Sequence, residues 1–99
     1  MTLAVYFTPA TKEDVRTARD WYANERDELG KEFMSDLLAA TNRIAGNSEQ
    51  FAVVYRSVRQ CCMKRFPYVI SFRINRQRIE ILAVLHGHRD PSVWKDRSS

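Results

Sequence analysis

Arg65-Phe66-Pro67-Tyr68-Val69-Ile70-Ser71-Phe72, continued by Arg73-Ile74, decides the fold class of this chain. Tyr68, Ile70, Phe72 and Ile74 alternate with Val69, Ser71 and Arg73. Strand side chains point to opposite faces with a period of two, so the stretch reads as a half-buried strand with one polar face. Asn75-Arg76-Gln77 follows as a turn candidate, without the glycine of the commonest hairpins. Arg78 to Leu85 is apolar on both faces apart from Glu80 and is expected inside the sheet, away from its edges. Upstream, Val58 to Phe66 reads as a strand whose exit Pro67 interrupts, and Phe51 to Tyr55 as another.

Further upstream the period changes to that of a helix. Phe33, Leu37, Ala40, Thr41 and Ile44 form one stripe at spacings of three and four. The spacing predicts a helix from about Lys31, closed by Gly46-Asn47, two residues that tolerate the left-handed conformation of a helix end. Val15, Ala18 and Trp21 or Tyr22 mark an earlier helix. Thr11 is its expected N-cap, with the acid Asp14 three residues on. Asn24 to Glu28 is expected to leave the helix, and Leu29-Gly30 to break the pattern. Two helices so closely linked should pack as an antiparallel hairpin. Leu3 to Phe7, stopped by Thr8-Pro9, is a first strand expected beside a C-terminal one. The order β-α-α-β-β-β-β gives an α+β fold, a mostly antiparallel sheet with a helical hairpin on one face. The polar tail from Asp90 to Ser99 reads as irregular around Trp94.

Ninety-nine residues, 44% hydrophobic and 28% charged, point to one folded domain spanning 1–99, with a modest core. Charge is unevenly placed. Residues 1–50 carry six Lys/Arg against nine Asp/Glu, and residues 51–99 carry ten against three. A basic second half suits nucleic acid, an acidic protein surface or an acidic partner segment. Cys61 and Cys62 are neighbours. On a strand they would point to opposite faces and bridge poorly, which fits a reducing cytoplasm. No stretch has the length of a membrane span and no signal peptide is legible, so the expected location is cytoplasmic.

The end of the chain concentrates chemistry. Ala83-Val84-Leu85-His86-Gly87-His88-Arg89-Asp90-Pro91, then Trp94 and Arg97, bring His, Arg and Trp to one edge of a small fold. His86 and His88 are two potential metal ligands, but neither a carboxylate nor a further cysteine pattern completes a site, and no metal or other cofactor is expected. Trp94 should either fold back onto the sheet or anchor a partner.

These residues in this order resemble the RelE/ParE superfamily of bacterial toxins, on its ParE side. Leu29-Gly30-Lys31-Glu32-Phe33 is similar to that family's Leu-Gly-x-x-Phe helix start, Arg65-Phe66-Pro67-Tyr68 matches before an aromatic strand, and His86, Arg89, Pro91, Trp94 and Arg97 follow at the expected offsets. The resemblance covers nearly the whole chain. It implies the toxin of a type II toxin–antitoxin module, held inactive by a cognate antitoxin that wraps it, with growth arrest, plasmid stabilisation and stress response as associated roles. Members of the RelE branch cut messenger RNA on the ribosome; those of the ParE branch poison DNA gyrase by contact.

Cleaving RNA requires a proton taken from the 2′-hydroxyl, a neutralised phosphate and a protonated leaving oxygen. Several positions at which RelE-like enzymes hold that equipment differ here. The third strand reads Arg59-Gln60-Cys61-Cys62-Met63 without the lysine pair, Val69 stands for an arginine, and Trp94 lies near a terminal tyrosine. An indole N–H can donate a hydrogen bond but cannot act there as an acid or base. The expectation is a non-catalytic gyrase inhibitor. Its target contacts would be Arg65, Arg89, Trp94 and Arg97. Trp21, Tyr22, Phe33 and Leu37 on the helical hairpin would meet a ParD-like antitoxin of ribbon-helix-helix type, and operator DNA would be reached only through that antitoxin. The alternatives are a ribosome-dependent endoribonuclease using Arg65, His86 and Arg89, and a decayed toxin that only binds its antitoxin.

Overall fold

The computed structural model describes residues 3–98. Strand β1 (Ala4–Phe7) leads into helices α1 (Pro9–Glu25) and α2 (Asp27–Gly46). After a short 3-10 turn come β2 (Val53–Tyr55), β3 (Val58–Cys62), β4 (Tyr68–Asn75), β5 (Arg78–His86) and a last helix, α3 (Ser92–Arg97). The five strands form one sheet in the order β1-β5-β4-β3-β2. β1 runs parallel to β5 and the other neighbours are antiparallel. The α+β reading therefore holds, with the first strand inserted beside β5 and β5 itself lying between β1 and β4. The tail differs from expectation: Ser92–Arg97 is helical rather than irregular. Ser99 lies outside the described residues.

The cap of α1 is Thr8, not Thr11. The Thr8 hydroxyl accepts from the Thr11 backbone N–H at 3.2 Å, and Pro9 sits at the start of the helix, where a missing N–H costs nothing. Thr11 is instead fully buried, and its hydroxyl donates to the Ile81 carbonyl at 2.6 Å. The one interruption between the helices is Arg26, extended at φ −158° and ψ 139°. Leu29 and Gly30 lie inside α2, so the expected break there is corrected. Gly30 is the contact point of the helical hairpin: a Cβ at this position would stand 2.9 Å from the Ala23 Cβ and 3.3 Å from the Arg19 carbonyl. At the other end of α2, neither Gly46 nor Asn47 is left-handed; Asn47 closes the helix at φ −158°.

The stripe on α2 faces the sheet as its spacing requires. Phe33, Leu37, Ala40, Thr41 and Ile44 are all buried, and the apolar members of the stripe share one core with Ile70, Phe72, Ile79, Ile81 and Val84. Tyr22, Phe33, Phe66 and Tyr68 form an aromatic cluster at one end of this core, with centroids 4.7 to 6.1 Å apart. Burial pushes the Tyr22 and Tyr68 phenols above their ordinary range.

β4 and β5 pair regularly until a bulge. Ser71 lies opposite Ala83 and Phe72 opposite Ile81, which leaves Leu82 as an extra residue. The extra residue reverses the phase of β5. Val84 and His86, rather than Ala83 and Leu85, thereby follow Ile79 and Ile81 on the helix side. The β4–β5 turn manages without glycine: Arg76 (φ 52°) and Gln77 (φ 65°) are both left-handed. Cys61 is buried and Cys62 exposed, and both thiols are free.

Candidate functional site

The last turn of β5 carries the site. The strand stops at His86, whose C=O accepts from the Arg89 N–H at 2.9 Å while the Gly87 N–H donates to the Pro67 carbonyl at 2.9 Å. These two bonds fold residues 86–89 tightly against the β3–β4 connection. The His88 N–H donates to His86 Nδ1 at 3.1 Å, which leaves Nε2 as the imidazole atom open to a ligand. The His86 ring sits 5.6 Å from Tyr68 and 5.2 Å from His88. Asp90 then turns the chain into α3. Its carboxylate accepts from the Ser92 N–H at 3.0 Å, and that bond holds its carboxyl below the usual range.

Two recesses open on either side of this strand end. One, of about 150 Å³, lies on the face turned away from α1 and α2. It is bounded by Gln60, Ser71, Leu85, His86, Arg89 and Trp94. The Gln60 amide donates to Ser71 Oγ at 3.1 Å, so its floor is already hydrogen-bonded. The other, of about 240 Å³, lies between α1 and β5 and includes Asp14, Thr17, Tyr68 and Val84. His86, Leu85 and Arg89 belong to both. Trp94 folds back: its indole meets the Tyr55 ring edge-on at 6.0 Å, and Lys95 Nζ stands 5.1 Å from the same ring.

The matching family model spans residues 5–91 and is described as the ParE toxin of a type II toxin–antitoxin system. The chain belongs to the ParE toxin family. It is 27% identical over 94 residues to the toxin ParE2 of Mycobacterium tuberculosis, in both strains CDC 1551 / Oshkosh and H37Rv, covering 94% of this chain and 90% of the relative. A chain from the chromosomal ParDE system of P. aeruginosa shares the fold, with a TM-score of 0.75 at 19% identity, over 86% of this chain and 96% of that one.

Within this ParE toxin the residues singled out from the sequence separate into groups. Arg89 and Trp94 share the 150 Å³ recess with His86. Arg65 lines neither recess. Its guanidinium pairs with Glu32 on α2 at 3.2 Å, and of the set Arg65, His86 and Arg89 only His86 and Arg89 share a recess. Arg97 is an internal partner rather than a free cation: it holds Asp14 at 2.6 Å and also donates to the Leu82 carbonyl at 3.1 Å. Two strand arginines lie on opposite faces of the sheet and are both engaged: Arg59 donates to the Phe51 carbonyl and Arg73 pairs with Glu80.

On the helical hairpin, Trp21 is 59% exposed. Tyr22 is half-buried in the aromatic cluster, and Phe33 has no exposed surface. Leu37 is buried yet forms the floor of a third, apolar groove of about 350 Å³ with Phe7, Val15 and Met34. Phe33 is therefore corrected from partner contact to core. The sequence reading missed Met34 and Leu38, which are exposed on α2. It also missed Asp14 and Asp36 as tertiary anchors. Met34 was detectable as the apolar residue beside the main stripe; Asp36 carried no such signal, because an acid on a helix reads as solvated.

Proposed function

We propose that this ParE-family toxin arrests growth by binding DNA gyrase, with the His86–Arg89–Trp94 recess as the contact point. The recess carries this reading. It offers a guanidinium, an indole and one imidazole around a floor whose polar groups, Gln60 and Ser71, already satisfy each other, which suits seating a protein side chain. Phosphodiester cleavage asks for more: a base, an acid and a phosphate clamp acting together. Purified gyrase tests it. Wild-type toxin should inhibit supercoiling, and Arg89→Ala and Trp94→Ala should each raise the half-inhibiting concentration at least tenfold, about 1.4 kcal/mol of lost contact energy. Absence of inhibition at excess toxin, together with cleavage of ribosome-bound messenger, would overturn the assignment in favour of an endoribonuclease. One observation favours that second reading: His86 and Arg89 do face a common space.

The neutralising partner is a ParD-like antitoxin. Its docking surface would be the groove floored by Phe7, Val15, Met34 and Leu37, continued along α2 by exposed Leu38; Trp21 lies on another flank of α1, beside Thr17 and Asn24. Lys12, Arg16 and Arg19 rim the groove, so an apolar segment with flanking acids would fit. This surface is separate from the His86–Arg89–Trp94 recess, and neutralisation would then work by covering or reshaping the toxin rather than by plugging its contact point.

A further inference from the structure

Helix α3 has no buried residue, yet it supplies Trp94 to the recess. A six-residue helix is too short to be stable alone, and Val93, Trp94, Lys95 and Arg97 are only half-buried. Its ties to the rest of the molecule are few. Trp94 and Lys95 touch Tyr55. The Arg73 guanidinium donates to the Ser98 carbonyl at 3.2 Å. The strongest tie is Arg97, whose guanidinium forms two bonds to the Asp14 carboxylate, at 2.6 and 3.1 Å.

The place of this ion pair explains its strength. β1 stops opposite Ile81, while β5 continues to His86. Beyond Ile81 the outer edge of β5 has side chains instead of a strand neighbour. Arg97 donates to the Leu82 carbonyl, and Asp14 accepts from the Val84 N–H at 3.1 Å. Each partner thus holds a backbone group of the bulged strand and its opposite charge. The Asp14 side chain is 9% exposed and that of Arg97 25%. A bidentate pair fixed at both ends has little freedom to rearrange.

We propose that Asp14 is a positioning residue. Through Arg97 it pins α3 across the bulge of β5 and so keeps Trp94 as a wall of the recess it shares with Arg89. The role assigned to the recess rests on the gyrase-binding reading above; the clamp itself does not. Asp14 belongs to α1, 83 residues away from Arg97.

Two substitutions test the clamp in the full chain, each in a Trp21→Phe background so that Trp94 is the only indole. Asp14→Asn keeps an oxygen for the Val84 N–H and removes the charge. Arg97→Met keeps the aliphatic stem. Both should red-shift Trp94 emission and raise amide exchange over residues 92–98 at least tenfold, with β4 and β5 as protected as in wild type. The exchanged pair Asp14→Arg/Arg97→Asp should recover part of the protection. Unchanged emission and exchange in both single variants would overturn the clamp, whatever the target. In gyrase assays the single variants should lose potency about tenfold. Full potency with a loosened α3, where Trp94→Ala is inactive, would refute the positioning role and leave the recess reading standing. Loss of exchange protection throughout the sheet would show Asp14 to be a general stabiliser, and would also overturn the proposal.

Discussion

Glu80 gathers three donors on the sheet face turned away from the two long helices. Arg73 lies at 2.9 Å, Arg78 at 3.0 Å and Asn75 at 3.2 Å. The hydrogen bond from Arg73 is the main reason its carboxyl is held below the usual range; burial opposes it, and Arg78 and Asn75 add to it. A carboxyl lowered in the folded state is more acidic than in the unfolded chain. Its contribution is therefore complete above the unfolded value, near 4.5, and disappears as pH falls through the lower folded one. Glu80→Gln should cost about 1–2 kcal/mol at pH 7, the scale of a charge-assisted hydrogen bond. It should also flatten the acid limb of stability. Urea titrations of both proteins from neutral pH into the acid range check this: the gap in midpoint should close as the pH falls below 4.5. Residue-level patterning announced Glu80 only as the polar exception in an apolar strand. Its three partners come from register, since Arg73 lies opposite Glu80 and Asn75 opposite Arg78.

Among the elements, the helical hairpin shows how local preference and packing compete. Glycine inside a helix costs about 1 kcal/mol relative to alanine, which is why Leu29-Gly30 reads as a break. Packing in the hairpin outweighs that preference, because only a hydrogen fits between α2 and Ala23. Gly30→Ala should accordingly destabilise the toxin by about 1–2 kcal/mol net, the overpacking strain exceeding the gain in helix propensity. Thermal unfolding should show a lower midpoint. Adding Ala23→Gly should restore most of it by reopening the contact. The actual break, Arg26, has no turn signature: it is an ordinary residue in an extended conformation, and a single such residue reverses the chain. Strand edges were legible where alternation was strict. Phe51 to Tyr55 shrank to Val53–Tyr55, and Val58 to Phe66 to Val58–Cys62. Beyond Cys62 the chain is held by Asp36 and the Met63 N–H bond to Tyr68 rather than by a ladder.

Across the whole molecule, carboxylates join segments far apart in sequence, three of them among the described residues. Asp14 reaches β5 and α3. Glu32 reaches Arg65. Asp36, 5% exposed, accepts from the Arg65 and Phe66 backbone N–H groups at 2.9 and 3.1 Å. Asp36 thereby positions Phe66 in the aromatic cluster and, beyond it, Pro67, whose carbonyl receives the Gly87 N–H beside His86. Asp36→Ala should leave those two N–H groups without their acceptor and cost about 2–3 kcal/mol. Loss of the aromatic near-UV circular dichroism before any loss of helix signal should accompany it. An unchanged denaturation midpoint would refute the anchoring role.

Fold class and family membership were written in the sequence, because the periodicities of two and of three to four are local, and because a family's residues keep their order along the chain. The two apolar stripes alone dictate which faces meet. The contents of the site were only half legible. His86, Arg89 and Trp94 stand close in sequence and do share a recess. Arg97 stands equally close to them and Arg65 lies in the connection leading into β4, yet Arg97 is held by Asp14 and Arg65 leans toward Glu32. Whether a cation is free or paired depends on which acid tertiary packing places beside it, and Glu32 and Asp14 come from helices many residues away. The phase of β5 at His86 likewise depends on one unpaired residue, Leu82, and pairing is a property of two strands rather than of either sequence.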